Sequence, residues 1–271
     1  MMPSRPVKRT ASFLYSPPAV PNSLRLFPLR ILLLADIHAN WPALRAIQEP
    51  FDACLFAGDL VDYGVDPAPC VDWIRNHARA AVRGNHDHYV AQRVTPRPGW
   101  GFRQLMASTR PLQWDRLNSR QLRFLSRLPI QTTVELDGMR LTLVHATPRD
   151  PLDEYLREDP AVWQMRTAHL ATDFLCVGHT HTPMHITLPG LQIINPGSVG
   201  QPRDGDPRAS YALIENGQVL FRRVEYDIDE AVAQLREAQL PPEVLRMAES
   251  VLRTGGRIPL DLMTPPPSRS A

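Results

Sequence analysis

The chain lacks most of what would place it outside a cell or in a membrane. Three cysteines occur in 271 residues, Cys54, Cys70 and Cys176, with no CxxC pair. That odd number at wide spacing excludes a disulfide framework. Cys54 and Cys176 lie in apolar runs (DACLFAG, DFLCVG), where a buried thiol is expected. A reducing, cytoplasmic setting is therefore the expectation. The longest apolar runs, such as residues 29–35, fall well short of the ~20 residues that cross a bilayer. Charge of one sign is missing too, since 30 basic and 28 acidic residues leave +2. No pervasive positive field is available for a nucleic acid, and no dedicated nucleic-acid-binding module is visible. Lysine is almost absent: Lys8 is the only one, and with 28 prolines this bias points to a GC-rich, bacterial source. What is present is 43% hydrophobic and 21% charged, the balance of a globular protein rather than a disordered one.

Residues 1–28 have a texture of their own, with six prolines, several basic residues and no acidic residue before Asp36. The prolines break any signal-peptide core or amphipathic leader, so a flexible extension is expected. Residues 257–271, ending PPPSRSA, read as a loose tail. Between them, 29–256 reads as one domain. Residues 29–35 (LRILLLA) form a run without a polar break, as buried strands do. A helix follows with Asn40 as N-cap and Pro42 in its first turn. The unit repeats in kind at 52–57 with a helix over 67–78, and again at 80–83. Residues 99–128 read as a helical, cap-like insertion broken at Pro111. Asp137-Gly138 predicts a hairpin between QTTVEL and MRLTLVHA. A helical excursion over 151–170, short strands at 173–177, 184–188, 191–194, 210–214 and 219–224, and closing helices within 229–253 complete an α/β pattern.

Five polar clusters each follow an apolar run: Asp36-Ile37-His38, Gly58-Asp59-Leu60-Val61-Asp62, Gly84-Asn85-His86-Asp87, His145, and Gly178-His179-Thr180-His181. Any one is weak, because an isolated histidine is ordinarily a surface or packing residue. Five in order, all at strand ends, are not an accident of composition. Asp-x-His and His-x-His put both side chains on one face if the backbone stays extended, so two ligands from one strand end can reach one metal cluster. The glycines before Asp59, Asn85 and His179 permit close approach of backbone to the site.

In these clusters the sequence resembles the calcineurin-like metallophosphoesterase superfamily over roughly residues 29–225. Residues 195–215 (NPGSVGQPRDGDPRASYALIE) and the closing helices are similar to the bacterial branch containing the small YfcE-type phosphodiesterases. The resemblance implies a four-layer α/β/β/α sandwich of two mixed β-sheets with a binuclear metal centre at one edge. Carried over by motif, one metal ion would be held by Asp36, His38, Asp59 and His181. The second would be held by Asp59, Asn85, His145 and His179, so that Asp59 bridges. Nitrogen and oxygen ligands without thiolate suit Mn, with Fe, Zn, Co or Ni also compatible. Two divalent ions less the charge of two aspartates would leave about two positive charges for an anionic phosphate ester.

By the same resemblance His86 is the general acid and Asp62 the carboxylate that orients it. The competing reading of Asp62 is a turn aspartate in DYGVDP. Asp87 reads as a structural partner of nearby backbone. Asn195 and Arg203, on a Gly/Pro-rich loop, are candidate substrate contacts, with a structural turn as the alternative. Trp100, Phe102 and Trp114 would form either an apolar cap or ordinary core. Tyr63 and Asp87 stand where the Ser/Thr phosphatase branch has Arg and Glu, which disfavours a protein phosphatase. The expectation is hydrolysis of a small phosphate diester, cyclic or nucleotide in kind, without membrane or nucleic-acid partners. A monoesterase on the same centre is the alternative within the family. A metal-free scaffold like the retromer subunit of this fold lacks the histidine that His86 supplies, and a nuclease would need a basic groove.

Overall fold

A computed structural model of the chain describes residues 29–97 and 99–263. The expected N-terminal extension, 1–28, and residues 264–271 of the expected tail lie outside the described residues. In chain order the first elements are β1 (Arg30–Leu34), α1 (Trp41–Arg45), β2 (Ala53–Phe56), α2 (Pro67–His77), β3 (Ala78–Ala81) and α3 (Asn85–Ala91). The insertion supplies α4 (Phe102–Arg116) and α5 (Ser119–Arg127), followed by the hairpin β4 (Gln131–Leu136) and β5 (Met139–Val144). Next come α6 (Pro160–Thr167), β6 (Phe174–Cys176), β7 (Pro183–Leu188) and β8 (Leu191–Pro196). The chain closes with β9 (Ala209–Glu215), β10 (Gln218–Val224), α7 (Ile228–Glu237) and α8 (Pro242–Thr254).

The strands form two five-stranded mixed sheets, ordered β10-β9-β1-β2-β3 and β4-β5-β6-β8-β7. In the first, β1 runs parallel to β2 and antiparallel to β9. In the second, β5, β6 and β8 are parallel neighbours. The alternation of β1 decides the layering, because successive residues of a strand face opposite sides. Ile31 and Leu33 join Leu55, Leu141, Leu143, Cys176 and Ile214 in the core between the sheets. Leu32 and Leu34 face the other way and pack with Leu44, Val71 and Ile74 of the helical layer. On the far face of the second sheet, Trp163 of α6 covers Val144, Leu175 and Ile193. The result is the α/β/β/α sandwich with two mixed sheets.

Local sequence signals account for many boundaries. Asn40 caps α1 through its side chain to Ala43 N at 3.2 Å, and Pro42 lies in the first turn. Asp137-Gly138 and Asn216-Gly217 turn the β4–β5 and β9–β10 hairpins with left-handed φ at each residue. Three expectations need correction. Pro111 does not break its helix: α4 is continuous from Phe102 to Arg116. A mid-helix proline costs roughly 3 kcal/mol, and here buried polar contacts of Thr109, Arg110 and Gln113 on the same helix hold it in place. The excursion over 151–170 is helical only from Pro160, since residues 146–153 are tied into turns by Thr147 and Asp150. Residues 257–263 are fastened rather than loose, with Leu262 O accepting from Gly101 N and Arg246 paired to Asp261.

Candidate metal centre

The five polar clusters converge at one edge of the sandwich, where backbone hydrogen bonds stitch the loops after β1 and β2 together. Asp36 N donates to Gly58 O at 2.9 Å, Ile37 N to Asp59 O at 2.8 Å and Ala39 N to Leu60 O at 2.8 Å. The loop after β6 joins through Gly178 N to His145 O at 2.8 Å, and the loop after β8 through Ser198 Oγ to Asp36 O at 2.7 Å. Such close approach needs glycine. A Cβ at Gly84 would lie 2.0 Å from Asp59 Oδ1, and one at Gly58 2.6 Å from His145 Nδ1.

The reason expected for the paired ligands does not hold. Asp36, His38, His179 and His181 are not extended: their φ angles are 54°, 50°, 69° and 58°, and Asp59 has 63°. Left-handed backbone is strained for residues other than glycine, although Asp, Asn and His tolerate it best. The inter-loop hydrogen bonds hold it, and the ligand atoms still converge. One carboxylate or imidazole atom each from Asp36, His38, Asp59 and His181 all lie within 4.8 Å of one another, and so do atoms from Asp59, His145 and His179. Asp59 belongs to both groups. Asn85 sits between Gly84 and His86, and His86 N donates to Asp59 Oδ1 at 3.0 Å.

These residues fit divalent cations. Three imidazoles donate Nδ1–H to backbone carbonyls, His38 to Val61 (2.9 Å), His181 to Gln201 (2.6 Å) and His145 to Ala57 (2.8 Å). This fixes the tautomer that leaves Nε2 with its lone pair free. His38 Nε2 and His181 Nε2 face each other at 3.1 Å, an arrangement of two lone pairs that a shared cation would relieve. Asn85 Oδ1 is buried and has no hydrogen-bond partner among the described residues, and His145 Nε2 is buried facing Asp59 Oδ2 at 3.2 Å. Burial pushes His38 and His181 well below the ordinary imidazole range and His179 down to about 3, so these three are neutral donors. Burial also disfavours charge on Asp59, but His145 and His86 beside it hold it well below the carboxylate range. His145 goes the other way. Burial opposes its charge, yet Asp59 at 3.2 Å outweighs that and raises it to about 9. In the absence of a cation a proton takes the cation's place.

Beside this cluster, His86 Nδ1 lies 2.7 Å from Asp62 Oδ2, and His86 Nε2 lies 3.9 Å from Asp59 Oδ2. The ring is nearly buried and packs against Tyr63 and His38, with centroids 4.7 and 5.0 Å away.

A family model of the calcineurin-like phosphoesterase superfamily domain matches residues 29–218, most of the chain. The chain belongs to that superfamily. The crystal structure of a metallophosphoesterase from Sphaerobacter thermophilus is similar at 34% identity and a TM-score of 0.71, over 84% of this chain and 99% of that one. An uncharacterized protein of Methanocaldococcus jannaschii is 31% identical over 78% of this chain and 93% of its own length. Phosphodiesterase YfcE of Escherichia coli is 28% identical over 69% of this chain and 88% of its own. Membership of a metallophosphoesterase family, together with the His/Asp cluster, implies divalent metal binding.

Other residues of this phosphoesterase fall into place around the cluster. Arg203 stacks its guanidinium 3.9 Å over Phe102, also lies against Tyr63, and is held by Gln201 Oε1. Asn195 braces its loop, the structural alternative considered for it. Its Nδ2 donates to Gly178 O and Thr180 Oγ1, and its Oδ1 accepts from Gly197 N, so its polar atoms are taken up by loop backbone and side chain. Asp87 accepts from Asp59 N, Leu60 N and Gly84 N and locks two ligand loops together. Trp114 is core, with its indole donating to Val90 O, whereas Trp100 is exposed. Asp153, which no sequence signal singled out, accepts from Asn85 Nδ2 and Tyr89 OH, each at 3.3 Å. Arg110, which no sequence signal singles out either, is a buried arginine next to Pro111 whose guanidinium donates to Asp62. No helix among the described residues is long and apolar enough to cross a membrane.

Proposed function

We propose that this chain is a binuclear, metal-dependent phosphodiesterase acting on small phosphate diesters, cyclic or nucleotide in kind, with His86 as general acid. The observation that carries the reading is the sharing of Asp59 between two groups of candidate ligands, with His86 held beside it. Asp36, His38, Asp59 and His181 would hold one ion and Asp59, Asn85, His145 and His179 the other, with Mn²⁺ the ion we propose among the Mn, Fe, Zn, Co and Ni ions that N/O donors without thiolate accept. When bound, the ions polarise the phosphoryl group and lower the pKa of attacking water.

The chain's own side chains do the rest. His86 donates Nδ1–H to Asp62, which turns Nε2 toward the Asp59 side of the site, within reach of a departing ester oxygen. An imidazole is the side chain that gives up a proton most readily near neutrality. Arg203 carries a fixed positive charge on a platform of Phe102 and Tyr63, suited to a phosphate oxygen. Similarity to a phosphodiesterase supports diesters over monoesters.

The test is turnover of bis(4-nitrophenyl) phosphate and of 4-nitrophenyl phosphate by chelator-stripped protein, with and without Mn²⁺, beside metal stoichiometry from elemental analysis. Two equivalents bound, metal-dependent turnover and a higher kcat/KM on the diester are expected. A clear preference for the monoester would overturn the diester reading, and metal-independent behaviour throughout would overturn the mechanism.

A further inference from the structure

Helix α4 presents three buried polar side chains to the turn that carries Asp62. Thr109 Oγ1 accepts from Tyr63 N at 3.0 Å, Gln113 Nε2 donates to Gly64 O at 3.0 Å, and Arg110 lies between them. Arg110 Nε donates to Asp62 Oδ2 at 3.0 Å and reaches Oδ1 at 3.3 Å, and its Nη2 donates to the same Oδ2. Nη1 donates to Val94 O at 3.3 Å, and the guanidinium packs over the Tyr89 ring at 5.4 Å. All three nitrogens are engaged and the residue is 2% exposed, so it has no route to a substrate. Asp62 is the carboxylate its guanidinium is paired with.

That pairing matters because of the turn Asp62 occupies. Asp62 and Tyr63 are both left-handed, with φ of 66° and 61°, a conformation that persists only where surroundings enforce it. Asp62 Oδ2 accepts from two partners at once, the guanidinium and His86 Nδ1 at 2.7 Å. A planar, forked guanidinium fixes the plane of a carboxylate, which a point charge does not.

We propose that Arg110 is a positioning residue for the general acid. Through Asp62 it sets the orientation of the His86 imidazole and hence the approach of Nε2 to the departing oxygen. The insertion that reads as a cap is, on this view, a clamp on the proton donor. The inference rests on the reading of His86 as general acid, and its test separates the two.

The experiment uses the full chain loaded with Mn²⁺ and two diesters of similar shape. Bis(4-nitrophenyl) phosphate releases an oxygen that needs little protonation, and diphenyl phosphate one that needs much more. Arg110→Met is expected to lower kcat on diphenyl phosphate about 100-fold, within the range general acids supply. On bis(4-nitrophenyl) phosphate the loss is expected to stay under about tenfold, with KM and metal content unchanged. Arg110→Lys, which keeps the charge and the fold, should recover part of the selective loss, and it serves in place of the Met variant if that one fails to fold. Equal losses on both substrates, or none, in the Lys variant and in any folded Met variant would overturn the inference. His86→Ala is measured alongside. A selective loss there without one at Arg110 overturns this inference alone, whereas equal losses at His86 overturn the general-acid reading on which it stands.

Discussion

The two sides of the metal centre are built from the same ligand chemistry but closed to different degrees. Asp36, His38 and His181 are buried, and both imidazoles are backed by main-chain carbonyls of neighbouring loops. Across Asp59, His179 is partly exposed, Asn85 is held by Asp153 in an exposed contact, and the half-exposed Tyr155 leans on the His179 ring at 5.4 Å. A ligand's surroundings decide how readily it lets go, because opening a buried site requires the loops around it to move, whereas an open one exchanges with water directly. His145 is the exception on the second side, buried and backed by Ala57 O like the imidazoles of the first. On the two-ion reading proposed above, the first side would be the anchor and the second the side open to solvent through His179 and Asn85.

Removing the residue common to both sides tests that comparison most severely. Asp59→Asn is expected to reduce metal content on both sides and to lower turnover about 10³-fold or more, by elemental analysis and kinetics. If half the metal survived, the two groups would not depend on a shared carboxylate. The next effect is asymmetric. In the native protein, graded chelation should remove one equivalent before the other. Asn85→Ala should weaken that first equivalent about 10–100-fold and leave the second, while His181→Ala should weaken the tighter one. Release of both equivalents together would erase the distinction.

Smaller effects follow from packing and protonation. Gly84→Ala drives a Cβ against Asp59 Oδ1. Overpacking of this kind costs about 1–3 kcal/mol, so the melting temperature should fall by several degrees. The pH dependence concerns the metal-stripped protein. His145 is raised to about 9 in the fold, so the stability its proton contributes is fully present below about 6.5 and is lost as pH rises through about 9. Thermal melts in chelator should drop over that interval, and the drop should vanish in His145→Gln. A flat profile in the metal-stripped protein of unaltered sequence would mean that Asp59 does not hold a proton on His145.

How much of this was legible can be judged from one backbone conformation used in two places. At Asp137-Gly138 and Asn216-Gly217 the left-handed turn is written in the residues, because a two-residue hairpin demands it and Asx-Gly supplies it. At Asp36, His38, Asp59, His179 and His181 the same conformation is imposed by hydrogen bonds between loops far apart in the chain, such as Ile37 N to Asp59 O. No local signal announces those bonds, so an extended strand end was the natural and mistaken expectation. Helix α3 hid for a related reason: its first turn, Asn85-His86-Asp87, reads as loop chemistry, and only the contacts of Asp87 with Gly84, Asp59 and Leu60 make it a helix start. Pro111 misled because the local rule against mid-helix proline was outweighed by Thr109, Arg110 and Gln113 gripping the Asp62 turn.

The residues alone settle the alternation of buried runs and polar clusters along the chain and the residue types gathered at the strand ends. Those follow from hydrophobic periodicity and from the donor chemistry of Asp, His and Asn, which act over a few residues. Only the tertiary structure decided that the ligand loops are left-handed, that Asn195 braces a loop, and that a guanidinium from an inserted helix stands behind the Asp62–His86 pair. Each of these is a contact across tens of residues, and its energy exists only once the sheets have brought the loops together.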